Sequence, residues 1–185
     1  MNKRISVRNA GNLLEDRSGA TTVEFAFVIG ILIVLSMGIV DFTLLASDCA
    51  RAAEATRRGA RIAAIEPPVG NLDKLATTTV TCTSTSGTTT CDTAAVVNAT
   101  TFTDVVAQMQ AIYPAIKPQN VEITYSATGI GLGDAGGYKP YVQVEIKDLK
   151  RSFYALQTLT GVAPSITMPS FATTMIGNPY IPTGA

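Results

Sequence analysis

Few side chains in this sequence are equipped for chemistry, and those few suit charge pairing and cross-linking rather than catalysis. There is no His among the 185 residues, so the usual general base and the usual imidazole metal ligand are missing together. Three thiols without His fall short of a four-ligand zinc site, and no two carboxylates can be placed side by side from their spacing. These absences argue against an enzyme and call for neither a metal nor a cofactor. Lys+Arg and Asp+Glu balance at 14 each, so there is no basic field to draw nucleic acid. The inventory narrows to Glu24, at the head of an apolar run with Phe25 beside it; to Arg51, Arg57, Arg58 and Arg61 downstream; and to Cys49, Cys82 and Cys91.

Glu24 poses the sharpest question. A carboxylate carried to the centre of a bilayer costs roughly 2.5–3.5 kcal/mol, so such a group is usually kept for a partner. If the chain were cut between Gly19 and Ala20, the new Ala20 ammonium would lie four residues from Glu24. In an assembled fibre, Glu24 would meet the ammonium of a neighbouring subunit and both charges would cancel in apolar surroundings. The plainer reading is a helix-end carboxylate favoured by the macrodipole, with Gly19 a simple turn residue. The arginines likewise divide between a solvated helix face, with Glu54 and Arg58 as an i,i+4 pair, and contact with acidic groups on neighbouring subunits.

Cys82 and Cys91 enclose the loop TSTSGTTT in a segment expected outside the cytoplasm, where bridges persist. Their pairing would contribute roughly 2–3 kcal/mol by loop entropy, leaving Cys49 as a small buried hydrophobe. The Gly-rich stretch from Gly129 to Gly137 superficially suggests a nucleotide loop. It lacks G-K-[ST] and any following helix signal, so it reads as a hairpin connection.

The element that must position Glu24 is long. Phe25 to Val40 contains no charge, and from Ala20 to Ala46 the only charges are Glu24 and Asp41. This exceeds the roughly 20 residues needed to cross a bilayer and is too long for a secretory signal, whose cleavage site is also missing. Residues 1–19 carry Lys3, Arg4, Arg8 and Arg17 against Glu15 and Asp16. The excess of Lys and Arg on that side places them in the cytoplasm and the remainder across the membrane. No residue breaks a helix between Ala20 and Ile65 until Pro67-Pro68. Ala46, Cys49, Ala53, Thr56, Ala60 and Ala63 form a heptad-spaced stripe of small residues on which a helix or sheet can approach closely.

Beyond Pro68 the pattern predicts a small α+β head. Expected strands cover Thr77–Thr83, Thr88–Thr93, Val121–Tyr125 and Tyr141–Ile146, with Gly87 as a turn. A helix over Thr101–Tyr113 would be capped by Thr101 or Thr103, with Val105, Val106, Met109 and Ile112 inward. Phe153–Leu159 reads as a short helix and Ile166–Ile176 as a strand broken by Pro169. The expected organisation is a leader over 1–19, a transmembrane helix over 20–46, its periplasmic extension over 47–66, and the head over 67–185.

Gly19 followed by four residues, Glu24 and an aromatic resembles the prepilin processing site of type IV pilins. Together with the basic leader, the opening GATTVEFAFV and the Ala/Arg-rich segment from Cys49 to Arg61, it is similar to TadE-like proteins of the tight-adherence (Tad) system over about residues 17–65. Phe25 stands where the Tad motif often has Tyr. The resemblance implies a pilin-like fold, cleavage by a prepilin peptidase between Gly19 and Ala20, and Glu24 with Phe25 setting subunit register. It implies a minor pilin or pseudopilin in the inner membrane, single-pass with a periplasmic head, and built into or beside a pilus. The implied partners are a major Tad pilin, other minor pilins, the secretion ATPase and the inner-membrane assembly platform; the output would be adhesion or biofilm formation. The alternative is a single-pass envelope protein with an uncut anchor, a periplasmic binding domain and no fibre role.

Overall fold

The computed structural model describes residues 18–75, 78–131, 138–161 and 165–181. The basic leader, Thr77 and residues 132–137 of the Gly-rich connection lie outside the described residues. In chain order the elements are α1 (Ser18–Ile65), β1 (Val80–Thr85), β2 (Thr88–Cys91), α2 (Ala99–Ile112), β3 (Val121–Gly131), β4 (Tyr138–Ile146), β5 (Lys150–Ser152), α3 (Tyr154–Thr160), β6 (Ser165–Thr167) and β7 (Phe171–Ile176). A 3-10 turn at Pro118–Asn120 precedes β3.

With no Pro before position 67 to interrupt it, α1 runs as one helix of 48 residues. Its last carbonyls cannot be satisfied within the helix. Asn178 takes them up: its backbone N–H donates to Ala64 O and its Nδ2 to Ile65 O, both at 2.8 Å. The chain forms two compact units. One holds the helix as far as Phe42 with the segment that begins at Phe153; the other holds Thr43–Ser152 and the C-terminal strands.

The second unit is α+β, as the sequence pattern predicts. Its antiparallel sheet has the order β2-β1-β3-β4-β7, and β5 pairs with β6 in a separate ribbon. Alternation in β3 and β4 sends Val121, Ile123 and Tyr125 to one face opposite Ile146, Val144 and Val142, and all six are buried, as expected for a half-covered sheet. The last turns of α1 cover this face with α2. A Cβ on Gly59 would stand 2.7 Å from Met109 Sδ and 3.3 Å from Val144 Cγ1, so glycine is what lets helix, helix and sheet meet. Thr56, buried on the same side, shares a 3.0 Å hydrogen bond with the Thr173 hydroxyl of β7. On the other face, Glu122 and Glu145 lie directly opposite one another, a repulsive arrangement. Lys147 Nζ relieves it, at 2.9 Å from Glu122 and 3.6 Å from Glu145.

Several sequence expectations need correction. Of the expected stripe on α1, Thr56, Ala60 and Ala63 are buried, but Ala46 is exposed and Cys49 and Ala53 only half-buried, and Ala52, Ala55 and Gly59 are buried as well. The true period is that of a straight helix on a sheet, close to 3.6, rather than a coiled-coil 3.5. Helix α2 starts at Ala99, and neither threonine caps it. Thr101 is buried and its hydroxyl donates to Pro67 O at 2.9 Å, while Thr103 donates back to Ala99 O. The expected Ile166–Ile176 strand is two strands in different sheets, because Pro169 cannot donate to a ladder. Strand β5 has no sequence signal beyond three polar residues.

An ion pair in this unit is desolvated mainly on its acidic side. Asp48 of α1 is 5% exposed and pairs with Arg151 Nη1 of β5. The Tyr113 hydroxyl sits beside them, its pKa raised by burial first and by Asp48 second, against the opposing pull of Arg151. Removing one partner strands the other charge. Arg151→Met should therefore cost about 3–5 kcal/mol, and Asp48→Leu added to it should recover most of that loss. Denaturation midpoints of the detergent-solubilised chain measure both, and additive losses would contradict the pairing.

Tyr125 gives the unit a pH limit. Burial pushes its hydroxyl from 10.0 up to about 12 although the Val69 N–H, 3.2 Å away, donates to it and favours the phenolate. The folded value lies above the unfolded one, so this contribution is intact below pH 10 and is lost as pH rises through about 12. Its full size is about 2–3 kcal/mol. Tyr125→Phe should flatten the fall in stability over that alkaline window, and an unchanged slope would contradict the assignment.

Candidate functional site

Gly19, Ala20, Glu24 and Phe25 all lie in the first two turns of α1, and all four are exposed. Among the described residues, a Cβ on Gly19 would meet nothing within 4 Å. Around Glu24 the helix presents Val23, Phe25, Phe27, Val28, Leu32 and Leu35 to the outside. None of the most apolar 18-residue window, at mean hydropathy 2.6, is buried. An apolar surface of this extent is unlike that of a water-soluble monomer. Its one polar side chain before Asp41 and after Glu24, Ser36, donates to Leu32 O at 2.8 Å, the local bond that makes a hydroxyl tolerable in lipid. Ala26, Phe27, Gly30, Ile31, Val34 and Leu35 line a shallow groove of about 450 Å³, opened by the missing side chain at Gly30.

The four arginines are brought together only in part. Arg51, Arg57, Arg58 and Arg61 are all exposed on the turns of α1 that flank the buried stripe. The expected Glu54–Arg58 pair is replaced by Glu54–Arg57 at 3.6 Å, because Arg58 Nη2 instead donates to Gln108 Oε1 of α2 at 3.2 Å. Both contacts are exposed and contribute little to stability.

Cys82 and Cys91 are directly opposite in the β1–β2 ladder, with Cα atoms 4.1 Å apart, and the structure joins them in a disulfide; Cys49 is free and half-buried. The turn of this hairpin is Ser86-Gly87, both at positive φ, 53° and 84°, which a two-residue loop of this hand requires. Gly70 packs against the bridge, where a Cβ would stand 3.2 Å from Cys91 Sγ.

A cleft of about 370 Å³ lies at the end of α1, lined by Pro67, Pro140, Tyr125 and Tyr180 among others, with Glu66 the one charged lining residue among the described residues. Burial first and Asp104 second raise the Glu66 pKa, but no second acid or base among the lining residues stands ready to exchange a proton with it.

Sequence reasoning noted Asp41 only as a charge in the apolar run. The structure gives it partners: Asp41 is 4% exposed, and its Oδ1 accepts the backbone N–H groups of Tyr154 and Ala155, each at 3.2 Å. The available signal was an acidic residue just past an apolar stretch, followed far downstream by a short helix without a capping side chain of its own.

No curated protein and no solved structure matches this chain. The family model described as TadE-like protein matches residues 19–61. The matched residues run from Gly19 through the exposed apolar part of α1 to Arg61, and the match stops before the sheet begins.

Proposed function

We propose that this chain is a minor pilin or pseudopilin of a Tad-type pilus, a structural subunit without catalytic activity. The observation that carries the reading is an overlap: the TadE-like match over residues 19–61 takes in the whole of the exposed apolar part of α1. In this account a prepilin peptidase cuts between Gly19 and Ala20, and the apolar half of α1 holds the subunit in the inner membrane with the sheet-bearing unit in the periplasm. The subunit then leaves lipid for a fibre in which the same apolar face packs on the helices of a major Tad pilin or other minor pilins, the groove at Gly30 admitting a close neighbour. The membrane platform and its ATPase drive that transfer, and surface adhesion follows from the assembled pilus.

Glu24 has the central part. In the fibre it neutralises the Ala20 ammonium of an adjacent subunit and so sets the axial register, with Phe25 beside it. Glu24→Ala should leave membrane insertion and cutting after Gly19 intact, because removing a charge eases residence in lipid. The neighbour's ammonium would then stay buried and unpaired in the polymer, at a cost of roughly 3–5 kcal/mol. Co-purification with sheared pili, together with a pilus count, reads the outcome: the variant should accumulate in the membrane and be lost from the pilus fraction. Wild-type incorporation with wild-type piliation would reduce Glu24 to a helix-end charge.

A further inference from the structure

The short helix α3 belongs to the same compact unit as the apolar half of α1, and Asp41 explains how it is held there. Phe153, the residue before α3, offers no side-chain cap. The cap comes from another helix: the Asp41 carboxylate, almost fully buried, takes the N–H groups of Tyr154 and Ala155. Ionised acceptors make the stronger hydrogen bonds, and a carboxylate at a helix start is favoured further by the helix dipole. One turn before Asp41, Met37 and Gly38 are the first half-buried residues of α1 after a wholly exposed run. The covered face of this part of the helix therefore begins where α3 is tied on.

The depth of this contact follows from helix geometry. From Ala20 to Asp41, α1 rises about 30 Å, which is the thickness of the hydrocarbon core. If the helix crosses the bilayer, as the proposed function holds, a start of the span at Ala20 puts Asp41 and the first turn of α3 at the opposite headgroup boundary. Aromatic side chains gather at that level: Phe42 is 70% exposed, Tyr154 is 62% exposed, and Phe153 is half-buried. Tyr and Trp, with an apolar ring and a polar tip, are the residues enriched in the headgroup zone, and the flanking phenylalanines add apolar surface just beneath it. Helix α3, YALQTLT, carries no charge, and its amide and hydroxyl side chains are of the kind a headgroup zone can hydrogen-bond.

We propose that α3 is an interfacial anchor that rests on the outer leaflet of the membrane, held at that depth by Asp41, with Tyr154 and Phe42 seated among the headgroups. The lipid surface is the partner, because the exposed aromatics continue the lipid-facing surface of α1 at the height where hydrocarbon ends. The proposal rests on the membrane-spanning reading of α1, and its test must separate the two.

The sequence contains no Trp, so a single Tyr154→Trp substitution makes the only indole in the full chain, and Leu32→Trp does the same for the middle of the span. Each variant is reconstituted in vesicles of phosphatidylethanolamine and phosphatidylglycerol containing lipids brominated either near the headgroup or near the acyl-chain ends. Leu32→Trp should be quenched most by the deep bromines. Tyr154→Trp should be quenched at least about twofold more by the shallow bromines than by the deep ones, as an interfacial indole is. Adding Asp41→Ala to Tyr154→Trp should abolish that shallow preference, whereas its retention would overturn Asp41 as the positioning contact. Failure of Leu32→Trp to be quenched would remove the span and the anchor together. With Leu32→Trp quenched, a water-like, unquenched Trp at 154 would overturn the anchor alone. A blue-shifted but unquenched Trp at 154 that depends on protein-to-lipid ratio would also overturn it, in favour of a second copy of the chain covering α3.

Discussion

One unbroken helix has to satisfy two surroundings, and most of this structure follows from that constraint. Between Val23 and Val40, α1 shows large apolar side chains on every side, a pattern that has no stable home in water. Between Ala52 and Ala63 the same helix carries alanine, threonine and glycine on one face and arginine on the others, the pattern of an element packed on a sheet. Large side chains suit a helix whose neighbours are lipids or other helices. Small ones are needed where a backbone must come within reach of Met109 and Val144, as Gly59 does.

The two charged residues buried along the transition carry the specificity of the arrangement. Asp41 is spent on the N-terminus of α3 and Asp48 on Arg151. They are seven residues apart in the sequence, one in each compact unit, and each fastens a piece of chain more than a hundred residues away. Carboxylates in such surroundings are costly when unpaired, so each strongly favours the one arrangement in which its partner is present. The disulfide between Cys82 and Cys91 acts differently, adding a covalent link to the single strand, β1, that the edge strand β2 pairs with.

Much of this was legible in the residues. The helix from Ala20 to Ile65 followed from an apolar run with no breaker before Pro67-Pro68, and the central strands from the alternation in VEITY and YVQVEI. The Gly87 turn was visible because positive φ leaves few other residues a choice. What stayed hidden depended on contacts between distant segments. Thr101 reads as a cap by local rules, yet its hydroxyl is claimed by Pro67. Arg58 has a suitable acid one turn back, yet Gln108 is the neighbour it meets. Asp41 looked like an interruption of an apolar run because its partners lie at Tyr154 and Ala155. Gly19, Ala20, Glu24 and Phe25 were singled out for the opposite reason, from a local run of sequence, and their roles belong to the proposed function.

The central claim is that this exposed helix begins life behind a leader and is released from it for assembly. Mass spectrometry of the N-terminal peptide from the membrane-derived protein tests it most directly. The account predicts a mature chain that starts at Ala20, its α-amino group free or modified, and it is contradicted if the mature membrane protein still carries residues 1–19.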